Sequence, residues 1–170
     1  MHVRYWKSSL HCTLTVLLLS SPVIHAAPTV NAQVFGDPYT EFLPAAPDQA
    51  HVIYFRPALE STQAAGANLY IDGRFHTTLL PGGYTSFCLP PGYHLLGAYQ
   101  NDAPFYKGKT EELYRVNLEA GKTYFVKVSE NGTGVPVSVE RDEAEQSLKN
   151  TYEQIHVISR ANTPTCHSSE

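Results

Sequence analysis

Chemistry in this chain has few sources: histidines, cysteines, scattered carboxylates and two Gly-Lys-Thr triplets. Beyond residue 26 the histidines are His51, His76, His94, His156 and His167. A zinc site takes three or four converging ligands and often includes a closely spaced pair. None of these histidines forms such a pair, so no metal site is expected. The one convergence that strand pairing could create is His76 with His94, joined by Asp72. The triplets Gly108-Lys109-Thr110 and Gly121-Lys122-Thr123 would cradle a phosphate only with another glycine five residues earlier. Those positions hold Ala103 and Val116, so both triplets are expected to be turns ahead of strands. There is no Gly-x-Ser-x-Gly elbow, and no cysteine–histidine pair stands in a nucleophile context. Asp72 and Asp102 fall in predicted turns, and Glu111-Glu112 begin a predicted strand. Carboxylates so placed serve turns and surfaces rather than the paired acids of glycoside cleavage. The expectation is a non-enzymatic protein without a cofactor.

Two cysteines lie beyond residue 26, Cys88 and Cys166. Two thiols in an exported chain most often pair. A crosslink closing residues 88–166 is worth about 4 to 5 kcal/mol by chain entropy, less any strain. The alternative is a pair of reactive or free thiols. It lacks a Cys-x-x-Cys motif, and His167 beside Cys166 has no evident fixed geometry in a chain tail for lowering a thiol pKa.

The elements that must position these groups are strands. From Asn68 to Tyr99, short apolar, β-branched and aromatic runs are cut by Asp72-Gly73, Pro81-Gly82-Gly83 and Pro90-Pro91-Gly92. Turn residues at that spacing leave room for strands and none for helices. Strands are predicted at 51–55, 69–71, 75–80, 84–89, 93–99, 112–118, 124–128 and 135–139. The run 51–55 is apolar on both faces, as in a central strand between layers. Asp72-Gly73 predicts a tight hairpin, because glycine accepts positive φ. Tyr114, Val116 and Leu118 alternate onto one face, and Pro136 suggests an edge strand. From Asp142 the spacing of Ala144, Leu148, Tyr152 and Ile155 predicts one amphipathic helix over 142–157. Asp142 and Glu145 would form its capping box, and Glu145 can pair with Lys149. The fold class is therefore mainly β: an antiparallel β-sandwich of seven or eight short strands, then one C-terminal amphipathic helix. The sandwich domain is placed at 49–140 and the helix and tail at 141–170. Residues 27–48 carry four prolines and read as an extended leader. The tyrosines spread through the β region suit half-buried packing, whereas an exposed aromatic face would mark a glycan or protein surface.

Composition adds exclusions and a location. Hydrophobic residues are 42% and charged residues 16%, which suits one core and not a disordered chain. The net charge is −4, and the charged groups of the first 26 residues are the cations Arg4 and Lys7, so the remainder is more acidic still. An acidic chain without clustered Lys or Arg repels phosphate backbones, so nucleic acid is not an expected partner. Residues 1–26 run from Arg4 and Lys7 through an apolar stretch to Ala26 and Ala27, the order of a secretory signal peptide. Cleavage after Ala26 is the first expectation and after Ala32 the second; Cys12 is misplaced for a lipid anchor. No other apolar stretch approaches the length of a membrane span. A periplasmic or outer-membrane-associated protein follows, with an envelope protein or glycan as partner. The loops holding Asp72, Gly73, Asn101 and Asp102 are the expected contacts. A small-ligand or carbohydrate-binding sandwich is the alternative, and a hydrolase assembled across loops a third.

The pieces His51-Val-Ile-Tyr-Phe-Arg56, Asn68-Leu-Tyr-Ile-Asp-Gly73, Leu80-Pro-Gly-Gly-Tyr84, Pro91-Gly-Tyr-His94 and Gly121-Lys-Thr-Tyr-Phe-Val126 carry a resemblance. The run 50–128 resembles a bacterial envelope family called domain of unknown function 2846. Continued through Gln154-Ile-His-Val-Ile-Ser-Arg160 to Cys166, the chain is similar to the N-terminal half of exported OmpA-like proteins that accompany type I secretion of large adhesins. The resemblance implies an envelope-associated β-sandwich, an accessory of adhesin export or surface retention. It transfers no catalytic residue. Such proteins usually continue into a peptidoglycan-binding domain, and that activity is not carried over to this chain.

Overall fold

A computed structural model describes residues 33–58, 65–100, 114–130 and 134–167. The expected signal peptide and its expected cleavage positions, Asn101, Asp102, Glu111, Glu112 and the Gly108-Lys109-Thr110 triplet lie outside them. The described residues form strands β1 (Phe35–Pro38), β2 (Ala50–Phe55), β3 (Ala67–Ile71), β4 (Arg74–Leu79), β5 (Gly83–Leu89), β6 (Gly92–Gln100), β7 (Tyr114–Leu118), β8 (Thr123–Lys127), β9 (Val137–Val139) and β10 (Tyr152–Gln154), with helix α1 (Arg141–Leu148) between β9 and β10. One sheet has the order β1-β10-β5-β2-β8-β9 and the other β4-β3-β6-β7. They pack as the expected mainly β sandwich.

β2 lies inside the larger sheet with all six residues buried. Val52 and Tyr54 point into the inter-sheet core with Leu69, Ile71, Phe87, Leu96 and Val126. Ile53 and Phe55 point the other way, into a second cluster with Tyr84, Phe125 and the helix residues Ala144 and Leu148. Two-sided burial is the reason this run is apolar at every second position on both faces. β2 pairs antiparallel with β5 but parallel with β8, and β10 pairs parallel with β5. The larger sheet is thus mixed.

Asp72 and Gly73 take φ of 49° and 74°, which closes the β3–β4 hairpin as two positive-φ positions require. The two proline-glycine turns act differently. β4 and β6 belong to the smaller sheet and β5 to the larger, so the turns at 80–82 and 90–91 are arches between sheets. Pro90 and Pro91 lack the N–H groups a ladder needs, which suits a crossing.

Several expectations are corrected at the chain's ends. The helix stops at Leu148 instead of reaching residue 157. Leu148 O accepts both the backbone N–H and the hydroxyl of Thr151 at 2.8 Å, and the next residues join the sheet as β10. The apolar period continues through Tyr152 and Ile155, but strand pairing with β1 and β5 wins over it. The N-cap is Glu140, without a side-chain cap bond, so Asp142 caps nothing. Glu145 pairs with Arg141 at 2.8 Å and not with Lys149. Strands β1 and β10 bring the total to ten, two beyond the eight predicted runs. Both lie outside 49–140, so the proline-rich leader and the C-terminal segment contribute to the sheet. β1 is an edge strand, where Pro38 is tolerated.

Candidate functional site

The outer face of the larger sheet carries the densest group of reactive side chains. His51 stands on that face of β2, directly opposite Cys88 of β5. Cys88 is buried and bonded to Cys166, with a Cα–Cα distance of 5.1 Å. One ligand atom from each of His51, Cys88 and Cys166 lies within 4.8 Å of the other two. Phe42 of the leader packs edge-on against the His51 ring at 4.9 Å, and Tyr39, Phe42 and Tyr84 form a mutual edge-to-face cluster at 5.7–5.8 Å. Burial lowers the His51 pKa, so the ring is neutral at pH 7. Among the described residues no hydrogen bond reaches it.

Gln49 holds the tail here. Its amide donates to Thr165 O at 3.0 Å, and its carbonyl accepts the His167 N–H at 3.1 Å. These bonds bracket Cys166 and hold the backbone of the tail on either side of it. An open cleft of about 350 Å³ beside the disulfide is lined by Glu41, Phe42, His51, Cys88, Cys166 and His167.

A second feature follows the tail along the sandwich edge. Gln154 is buried; its carbonyl accepts the Leu80 N–H at 2.9 Å, and its amide donates to Thr78 O at 2.7 Å and Thr77 Oγ1 at 3.2 Å. It thereby bonds the larger sheet to strand β4 of the smaller one. Arg160 N–H donates to Phe75 O, and His76 Nδ1 lies 3.0 Å from Ser159 Oγ. Four of the seven residues from 152 to 158 are exposed apolar side chains: Tyr152, Ile155, Val157 and Ile158, the last 64% accessible. Ile158 also lines an apolar groove of about 300 Å³ with Val34, Phe75 and Leu80.

The predicted contact residues Asp72 and Gly73 sit at an exposed hairpin tip. Asp72 is tied down: one carboxylate oxygen accepts the Leu95 N–H at 2.9 Å and the other lies 2.8 Å from His94 Nδ1. His94 Nε2 lies 2.9 Å from Pro90 O. The convergence of His76, His94 and Asp72 is therefore half realised, because His76 turns to Ser159 and packs tilted against Phe87 at 4.8 Å. Burial holds the His76 pKa down to about 4. The tyrosines mostly pack: Tyr54, Tyr84 and Tyr99 are buried, while Tyr93 is 85% accessible on the smaller sheet and Tyr152 half-exposed on the larger.

Arg56, which ends β2, is fully enclosed. Its guanidinium meets both carboxylate oxygens of Glu130 at 2.8 and 2.9 Å and also donates to Ala65 O. Gln100 donates to the same carboxylate at 2.6 Å. The Arg56 hydrogen bonds hold the Glu130 carboxyl below its usual range. The pair is a structural clamp, a buried Arg56 held bidentately by a Glu130 that reaches the surface.

His51, Gln49 and Gln154 escape a reading of sequence alone. A signal exists for His51: a polar residue heading a run otherwise apolar on both faces. Gln154 lies in the period of the predicted helix and carries no such mark. Among the described residues no helix is long and apolar enough to cross a membrane. Comparison with known proteins found no matching family model, no matching curated protein and no matching solved structure.

Proposed function

We propose that this chain is a non-enzymatic, exported module of the bacterial cell envelope that holds a partner protein along its 152–158 segment. The observation that carries the reading is that segment itself: four exposed apolar side chains on a stretch anchored at both ends. Gln154 anchors one end to the sandwich, and the Cys88–Cys166 bond anchors the tail beyond the other. Exposed apolar residues on a rigid base lose little conformational entropy on binding. Such a surface favours an apolar protein segment over a hydroxyl-rich glycan. The disulfide, the leader sequence and the resemblance to adhesin-secretion accessories support an oxidising envelope compartment. An accessory role in adhesin secretion or surface retention is the form this function takes.

Photo-crosslinking in intact cells from position 158, with position 149 on the helix side as control, tests the reading. We expect one envelope protein captured from 158, absent from 149, and lost in the Ile155→Asp/Ile158→Asp variant. Equal capture from both positions, or recovery of the chain in the cytosolic fraction, would overturn it.

A further inference from the structure

The cleft beside the disulfide contains more chemistry than a structural crosslink needs. Two sulfurs and one imidazole converge within 4.8 Å, and His51 is buried, with no hydrogen bond to its ring among the described residues. A histidine ring beside two cysteine sulfurs is a ready metal ligand once the sulfurs are thiolates.

We propose that reduction of Cys88–Cys166 converts this cleft into a zinc site whose protein ligands are the Cys88 and Cys166 thiolates and a His51 ring nitrogen. The reductant is a dithiol. Its two S–H groups supply two electrons and two protons to the S–S bond, which opens to two thiols, while the dithiol closes to its own disulfide. Zinc binding then releases the two thiol protons to solvent. Two thiolates and one neutral imidazole balance the charge of the dication, which a half-buried site requires. Tetrahedral zinc, with Zn–S of about 2.3 Å, sets its thiolates about 3.8 Å apart, so the two sulfurs must separate by roughly 1.6 Å on leaving the bonded pair. Three protein ligands leave a fourth position for water, and Glu41 and His167 also line the cleft.

The tail does not depend on the disulfide alone to stay in place. Gln49 bonds the backbone on either side of Cys166, so the thiolate remains over Cys88 after the S–S bond opens. Gln49 is thus a positioning residue for the site. The inference is independent of the envelope function proposed above.

The test compares zinc binding by the full chain before and after reduction with a phosphine, which itself binds zinc weakly. Titration against a chromogenic zinc chelator gives affinity and stoichiometry, and cobalt(II) gives thiolate-to-metal charge-transfer absorption. We expect one equivalent bound by the reduced chain and none by the oxidised chain. Gln49→Ala should weaken binding roughly 10–100-fold, the usual cost of losing an outer support. His51→Phe keeps a ring against Phe42 and should weaken binding further than Gln49→Ala does. Far-ultraviolet circular dichroism should show the reduced, zinc-loaded chain retaining its β signal. Binding that is equal in the oxidised chain, or unchanged in His51→Phe, would overturn the proposal. So would a reduced chain that loses its β signal and does not regain it with zinc.

Discussion

The two faces of the larger sheet share the same strands and differ in almost everything else. The inner face meets a whole second sheet, and its cluster is built from side chains such as Val52, Leu69, Ile71, Leu96 and Val126 that are almost wholly buried. Among the described residues the outer face meets a two-turn helix, a piece of leader and the end of the tail. There the cover is aromatic and edge-to-face, and it admits His51, a disulfide and an open cleft. A face backed by a continuous sheet encloses the few polar groups it has, as His76 is enclosed against Phe87. A face covered by short pieces leaves room for an open cleft.

Removing that crosslink should have the largest effect. The double variant Cys88→Ser/Cys166→Ser is expected to lose about 4 to 5 kcal/mol in chemical denaturation, because the open chain regains the entropy of residues 88–166. A loss near zero would mean that Gln49 and the β10 contacts alone hold the tail.

Cavity variants compare the faces directly. Leu69→Ala, in the inter-sheet core, should cost about 4 kcal/mol, and Leu148→Ala, under the helix, about 2 to 3 kcal/mol. Both side chains are fully buried, but a short helix can settle into the space and a sheet cannot. Equal costs would show that the helix is as rigid as the sheet it covers.

Acid stability separates the faces through their histidines. His76 packs against Phe87 of the inner face and is held near pKa 4, well below the ordinary 6.5. The unfolded ring takes its proton near pH 6.5 and the folded ring only near pH 4, so protonation favours the unfolded chain between those values. Stability from this group should be level above pH 7, fall by about 3 kcal/mol between pH 6.5 and 4, and level off below. Its buried Nε2 lacks a partner among the described residues, which is why the charged ring is disfavoured. His76→Phe should remove most of that slope in denaturation midpoints taken across the range. His51→Phe should remove less, since His51 sits beside an open cleft.

The smallest effect is expected on the helix surface. Glu145→Gln breaks an exposed ion pair with Arg141 and should change stability by less than about 0.5 kcal/mol. A larger loss would mean that Arg141, 5.1 Å over the Phe125 ring, depends on Glu145 to hold its stacking over the outer cluster.

Legibility in the sequence followed the range of the forces involved. The hairpin at Asp72-Gly73, the doubly buried strand 51–55 and the alternating strand ending at Leu118 announce themselves, because each depends on local φ preference or on a period of two. The C-terminal segment misleads for the complementary reason. Ala144, Leu148, Tyr152 and Ile155 keep a helical period, yet Gln154 finds its partners in β4, some 75 residues earlier in the chain. The cleft was half legible: cysteine count and an export leader predict the Cys88–Cys166 bond, but nothing local sets His51 beside it.

By itself the amino-acid sequence determined the β class, most strand positions, the sharp turn at Asp72-Gly73 and the pairing of two cysteines. Those follow from side-chain periodicity, glycine's conformational freedom and thiol chemistry, which act over a few residues or need no geometry. Only the tertiary structure decided which arches cross between sheets, where the helix ends and that His51 faces Cys88. Those outcomes depend on the register of β2 against β5, and register is settled by burying two faces at once against elements far away in the chain.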